Sequence, residues 1–427
     1  MSDKTFYTII YTTLCLFAFS MPFSVPNVPY LNLAPSFIAL LLLVWLVQRN
    51  FSNKFNLLKT NKLLLPFCLC TGLYLLYVLG MLYTENLEFG LTDLLLKLPL
   101  LLLPIVIFTA NPAYWSKKRV NTILKLFVLG NIILLFVSVF YSWMLFRETS
   151  WWGNFHYNDA SWVHHPSYSS MFYCFSFVII VYFLLNEKCL LWEKITGGIA
   201  LILFSIEIIL LDSRAGIMAF ASVLLVYVVY ILVFKAKLRF KLLIGIACMG
   251  GIFAISYKLL PDDMKMNRTK YAIEHIKENY ISGNNSQEKY VRILIWDAGF
   301  KVATANLPFG TGTGDIKDEL VKQYIKDEYV EPYTEKFNAH CQYLQIFATL
   351  GIAGIAVFLS LMLYILWVGC KTRSIIFVLF GLVMGINFLV ESMFEKQMGI
   401  MFFSFFFTIL CFVSQNKLLK QKEIAPS

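Results

Sequence analysis

The sequence predicts an all-α, polytopic membrane protein of about twelve transmembrane helices, with both termini cytoplasmic and one large helical loop on the outer side. Three observations carry this. Of the 427 residues, 59% are hydrophobic and only 15% charged, at a mean hydropathy of +0.68. Soluble domains hold roughly 25% charged residues, so a water-soluble fold is excluded. Apolar blocks too long for buried core helices recur along the whole chain. The net charge of +10 is collected into alternate connections between those blocks, the pattern expected when basic residues stay in the cytoplasm.

Taken in order, the spans fall at 6–24, 32–48, 63–83, 92–110, 120–146, 166–186, 195–211, 214–234, 240–258, 340–369, 374–391 and 397–415. One set of connections holds Arg49, Lys54, Lys59 and Lys62, then Lys117, Lys118 and Arg119, then Lys188 and Lys194, then Lys235, Lys237, Arg239 and Lys241, then Lys371 and Arg373, with Lys4 before the first span and Lys417, Lys420 and Lys422 after the last. The short connections on the other side hold Arg147, Arg214 and Lys396 beside acids such as Glu85, Glu88, Glu148, Asp159, Asp212, Glu391 and Glu395. The basic balance is therefore topological and implies no nucleic-acid partner. The first apolar run has only Lys4 before it and no small-x-small site after it, so it reads as an anchor and not a cleaved signal. The nine cysteines lie almost entirely in apolar segments, which gives no disulfide framework; Cys68 and Cys70 point to opposite helix faces and share no metal.

Residues 259–338 form the one long connection, and loops of that length are usually functional. Helical periodicity runs over Met266–Ile281, over Glu288–Ala303 behind a capping box of Asn285 and Glu288, and from Asp315 to about Glu328 with Ile316, Leu320, Val321 and Tyr324 on one face. A turn-rich break, Leu307-Pro-Phe-Gly-Thr-Gly-Thr-Gly-Asp315, separates the last two. A helical subdomain over the outer mouth of the bundle is expected. The shorter outer loop 147–165 carries Trp151, Trp152 and Trp162 with His156, His164 and His165; its tryptophans suit a membrane-interface belt.

Charges within or beside spans cost about 2.5–3.5 kcal/mol at a helix centre, so each is a functional candidate with a default partner. Arg214 follows Asp212 in a tight reversal, and the two can pair. Lys97 stands four residues after Asp93 on a helix, a spacing that permits a local ion pair. Glu391, Glu395 and Lys396 form the last outer turn, where a solvated cluster is the common arrangement. Glu207, deep in the seventh span, reads as a buried protonated acid. Arg292 sits in Tyr290-Val-Arg-Ile-Leu-Ile-Trp296, too apolar a setting for a merely solvated arginine. His340 falls at the head of the tenth span, where the helix N-terminus disfavours the imidazolium. Two guanidiniums can hold a diphosphate bidentately, and a neutral imidazole can take a proton from an incoming hydroxyl. Arg214, Arg292 and His340 are therefore expected to share one outer site, with Lys97, His164, His165, Tyr343, Glu391 and Lys396 as further candidates.

No phosphate-binding G-x-x-x-x-G-K-[ST] and no zinc H-E-x-x-H occurs; Gly310-Thr-Gly-Thr-Gly314 lacks the lysine. Asp262, Asp263, Asp315, Asp318 and Glu319 read as helix-start acids, and the outer loop 25–31 has no acid at all. No metal or other cofactor is expected.

Ser213-Arg-Ala-Gly216 at an outer reversal, Arg292 four residues before Trp296 in a large outer loop with Leu307-Pro-Phe-Gly-Thr-Gly312, His340 with Tyr343-Leu344 before Gly351 and Gly354, and the closing Glu391-Ser-Met-Phe-Glu-Lys-Gln-Met-Gly399 together resemble the O-antigen ligase and O-antigen polymerase family. Cys341 departs from it, since an Asn is common there. The resemblance implies a metal-independent, inverting glycosyltransferase at the periplasmic face of the bacterial inner membrane. Its donor would be a glycan on undecaprenyl pyrophosphate, and its acceptor lipid A-core sugar for a ligase, a growing lipid-linked glycan for a polymerase, or a protein hydroxyl for an O-oligosaccharyltransferase. By the same resemblance Arg214 and Arg292 bind the pyrophosphate and His340 is the base. The competing class is a lipid-linked glycan flippase, for which repeated halves are usual; here only the second half carries the long insertion.

Overall fold

The computed structural model describes residues 3–25, 32–49, 51–235 and 291–424, with the isolated residues 238, 251 and 258. Every regular element among them is helical, and helices occupy all the predicted spans except 240–258, of which only residues 251 and 258 are described. Among the described residues seven stretches are long and apolar enough to cross a membrane, Leu64–Gly80 and Ile375–Val390 being shorter apolar helices. The protein is an all-α polytopic membrane protein.

The first half runs α1 (Asp3–Ser20), α2 (Ala34–Val47), α3 (Phe51–Thr60), α4 (Leu64–Gly80), α5 (Leu87–Lys97), α6 (Pro99–Phe108), α7 (Lys117–Thr149), α8 (Pro166–Asn186), α9 (Leu191–Leu210) and α10 (Arg214–Phe234). Two departures from the sequence reading appear here. The basic connection after α2 is itself a short helix, α3, set at 108° to α2. The fourth span is two helices, α5 starting at Leu87 behind its cap Asn86 and giving way at Pro99 to α6, because proline cannot donate the bond that would continue α5.

The second half runs α11 (Val291–Ala305), α12 (Ile316–Lys326), α13 (Val330–Glu335), α14 (Gln342–Lys371), α15 (Ile375–Val390) and α16 (Gln397–Ile424). Helices α11 and α12 are the second and third predicted loop helices, and α13 is a short one the periodicity did not reveal. The predicted Met266–Ile281 helix and the Asn285–Glu288 capping box lie outside the described residues. Ile295, Ala298 and Val302 of α11, Ile316, Leu320 and Tyr324 of α12, and Ala348 of α14 bury one another in a core of their own, so α11 and α12 are packed onto the head of α14.

Helix α16 is the hub. Phe402, Phe403, Phe405, Phe406 and Phe407 are all fully buried, with Phe406 meeting the rings of Phe127 and Phe175 at 4.8 Å each. A helix apolar all round must be covered all round, and 89% of its span is buried against 28% for α10 at the periphery.

The glycine-rich break has a structural use. Helix α14 is interrupted at Gly351, whose φ of 62° and ψ of −150° free the carbonyls of Ala348 and Thr349. Thr311 N–H and Gly312 N–H donate to those two carbonyls at 2.9 and 3.0 Å, and Ile352 N–H donates to Pro308 O at 3.0 Å. Thr313 Oγ1 donates to Tyr77 O at 2.6 Å, and the Asp315 carboxylate accepts from Glu85 N at 2.9 Å and Asn86 N at 2.7 Å. Asp315, read above as an acid of its own helix start, thus holds the entry to α5. A Cβ on Gly351 would lie 2.0 Å from Pro308 O. Gly351→Ala, with this backbone clash and a positive φ, is expected to cost about 1–3 kcal/mol, seen as a lower melting temperature and poorer recovery; an unchanged melting temperature would show that the strap is dispensable.

Candidate active site

His340 precedes α14 by two residues, with Cys341 in the cap position. Its φ of 42° is left-handed, a conformation that histidine adopts more readily than most residues and that its neighbours enforce. His340 N–H donates to Asn338 Oδ1 at 3.0 Å, its carbonyl accepts from Trp296 Nε1 at 3.4 Å, and its ring stands edge-on to Phe337. The next residues are tied to the turn between α15 and α16: Cys341 N–H donates to Ser392 Oγ at 3.2 Å, and Phe394 N–H donates to Gln342 Oε1 at 2.6 Å.

That turn delivers Glu391 to the site. Its Oε2 lies 3.2 Å from His340 Nδ1, and its Oε1 accepts from Arg292 Nη2 at 3.2 Å. Glu391 is 8% exposed, while the imidazole and guanidinium remain 24% and 37% exposed. Burial alone would push the Glu391 carboxyl up, but the imidazole bond, Arg292 and the nearby His165 together hold it below the usual carboxylate range. An ionised carboxylate can only accept, so Nδ1 of His340 donates to it, and of the two neutral tautomers the contact selects the one with its lone pair on Nε2. The solvated cluster expected for Glu391 is thereby corrected: this acid is the bridge between the base candidate and Arg292. The helix N-terminus, expected to disfavour the imidazolium, begins beyond His340 at Gln342, and it is the Glu391 contact that bears on the tautomer.

Arg214 is the exposed first residue of α10. Ser213 before it caps the helix by accepting from Gly216 N at 3.3 Å and donates to Ser167 Oγ at the start of α8, also at 3.3 Å. Gly216 permits this approach, since a Cβ there would meet Ser170 Oγ at 2.3 Å. In the first turn of α8, Tyr168 feels the charges of Glu391 and Glu395, as His165 just before it acts on Glu391. The heads of α8 and α10 therefore stand at the same end of the bundle as Glu391, His340 and Arg292. Asp212, the expected partner of Arg214, has its carboxylate 3.7 Å from His156 Nε2.

The other candidates separate. His164 is buried with Nε2 2.8 Å from Pro22 O, and burial pushes its pKa down to about 4; its proton is committed to a carbonyl, which makes it a tie between loop 147–165 and the end of α1. His165 Nδ1 accepts from Ser167 N at 3.4 Å, capping α8. Tyr343 packs on Phe358 with its hydroxyl 3.5 Å from Gly385 O. Lys97 is fully buried between Asp93 and Glu395, so the local pair was half the answer, and Lys396 is exposed. Glu207 is buried in α9. Trp151 and Trp152 are exposed, as an interface belt requires, whereas Trp162 packs on the core.

No curated protein matches the chain. Residues 199–359 match the family model described as O-antigen ligase, a stretch that contains Arg214, Arg292, His340 and Tyr343; over it the chain is similar to that family, in line with the resemblance read from the sequence.

Proposed function

We propose that the protein is a metal-independent, inverting glycosyltransferase of the O-antigen ligase type, acting at the periplasmic face of the bacterial inner membrane. The observation that carries this reading is the bridge from Arg292 through Glu391 to His340, a guanidinium and an oriented imidazole joined by one carboxylate. Arg214 and Arg292 hold the pyrophosphate of an undecaprenyl-linked glycan. Arg292 has donors to spare, since Glu391 takes only Nη2 and a guanidinium carries five N–H groups. Nε2 of His340 takes the proton of the acceptor hydroxyl. The acceptor oxygen forms its bond to the anomeric carbon as the bond from that carbon to the phosphate oxygen breaks, and undecaprenyl pyrophosphate leaves with inversion at the sugar. The sparse basic residues at the Arg214 and Lys396 connections support an outward-facing site, because basic connections stay cytoplasmic.

Incubating purified protein in lipid nanodiscs with undecaprenyl-pyrophosphate-linked glycan separates the acceptors. Glycan moved onto lipid A-core supports the ligase reading. Joining of two donor lipids would make it a polymerase, transfer to a protein hydroxyl an O-oligosaccharyltransferase, and movement of intact donor across a bilayer without transfer would sink the enzyme reading in favour of a flippase. Within the ligase reading, Glu391→Gln keeps the shape of the bridge but not its charge, and kcat is expected to fall roughly 10–100-fold, less than the 10²–10⁴ of losing a base itself. A normal kcat in Glu391→Gln would mean that His340 needs no carboxylate.

A further inference from the structure

We infer that Lys97 is a positioning residue for this reaction: through Glu395 it sets the turn that carries Glu391, and hence the bridge to His340 and Arg292, an inference that rests on the function proposed above. The Lys97 ammonium is fully buried at the end of α5, paired with Asp93 one turn back and with Glu395 Oε1 at 3.1 Å, and lies 4.7 Å from the centre of the Tyr77 ring. Glu391 and Glu395 are the acids of a single turn between α15 and α16, and they reach different elements. Glu391 goes to His340 before α14 and to Arg292 on α11; Glu395 goes to α5. The α14 side grips the turn through Cys341 N and Gln342 Oε1, and Gln397 is bonded to Asn32. Lys97 supplies the ionic hold from α5.

Burying three charged groups is a poor way merely to stabilise a bundle, since an apolar side chain of similar volume would join α5 to the turn without the desolvation cost. The adjoining Tyr77 hydroxyl is also buried with no hydrogen-bond partner among the described residues, a further cost at the same place. What the ammonium provides and an apolar contact lacks is direction, because a charge-assisted hydrogen bond constrains both distance and angle. Direction matters four residues away. Both bonds of Glu391 are 3.2 Å long, near the outer limit of a hydrogen bond, and a shift of the turn by about half an ångström would break them.

The test uses the full-length protein in nanodiscs with undecaprenyl-pyrophosphate-linked glycan as donor and the acceptor that supports turnover. Lys97→Met is expected to lower kcat roughly tenfold or more while the donor KM stays within about threefold, and Lys97→Met combined with Glu391→Gln should lose no more than Glu391→Gln alone, because both changes act through one carboxylate. A purely structural role would lower recovery and leave the kcat of the folded protein intact. If Lys97→Met is not recovered, the variant Asp93→Asn/Lys97→Met/Glu395→Gln, which buries no unpaired charge, carries the same comparison. A folded variant with normal kcat, or losses at Lys97 and Glu391 that multiply independently, overturns the inference. An impaired Glu391→Gln beside a normal Lys97→Met sinks the role of Lys97 alone, whereas a normal Glu391→Gln removes the bridge on which both readings stand.

Discussion

His340→Ala is expected to yield a protein that inserts and is extracted normally, still binds donor lipid, and transfers glycan roughly 10²–10⁴ times more slowly, the usual consequence of removing a positioned general base. The surroundings favour a chemical over a structural loss. The backbone of residue 340 is held by Asn338 and Trp296 through main-chain atoms that alanine retains, and the lost ring is 24% exposed and not part of the core. Left-handed backbone is the one strain that alanine inherits, and asparagine tolerates it well. His340→Asn should therefore fold at least as well as His340→Ala and be as slow. Measuring single-turnover transfer beside donor-lipid binding decides the matter: near-normal transfer by either variant would remove His340 from the mechanism and leave His165 as the remaining candidate, because the proton of His164 is committed to Pro22 O.

The second large effect is expected at Arg292. On the proposed mechanism, replacing it with alanine would remove charge-assisted bonds to the pyrophosphate worth about 3 kcal/mol, so kcat/KM should fall roughly 10²-fold, mostly through the donor KM. Arg292→Lys should be impaired as well. In the structure one nitrogen of the fork already serves Glu391, and a point ammonium cannot hold that carboxylate and a diphosphate together in a fixed plane. Arg214→Ala is expected to change the same parameter, since both arginines would bind the same group. A donor KM unmoved in Arg292→Ala would show that the pyrophosphate sits elsewhere, and a fully active Arg292→Lys would show that charge alone suffices.

Much of this protein was legible before any coordinates. Spans could be read because a bilayer leaves no choice about backbone satisfaction, so about 20 apolar residues in a row specify a helix almost without reference to neighbours. Loop helices α11 and α12 were legible for a related reason, as their buried residues recur at helical spacing against a small core. Arg292 and His340 stood out because a cation in an apolar setting and a histidine at a span head are locally anomalous.

Other features were not legible, and the reasons are physical. The break in α14 at Gly351 depends on a strap from residues 308–312 that supplies donors to the freed carbonyls; nothing in a Gly-x-x-Gly on an apolar helix announces a partner some forty residues away. The short helix α13 is too brief to show a period. The role of Glu391 was the largest omission. In sequence it is an acid at the end of a span beside another acid and a lysine, which describes any solvated turn, and it lies 51 residues from the histidine it orients. Only packing of α15 and α16 against the head of α14 buries it, and only burial between an imidazole and a guanidinium changes what a carboxylate can do.

The sequence by itself therefore determined the solvent, the apolar stretches that form the spans and the residues whose charge is out of place, since these follow from transfer free energies that each segment settles alone. The tertiary structure decided which of those charges meet: Lys97 with Glu395, His340 and Arg292 on Glu391, and His164 away from the site on Pro22. A hydrogen bond succeeds or fails within about half an ångström, and distances on that scale between segments far apart in the chain exist only once the helices have packed.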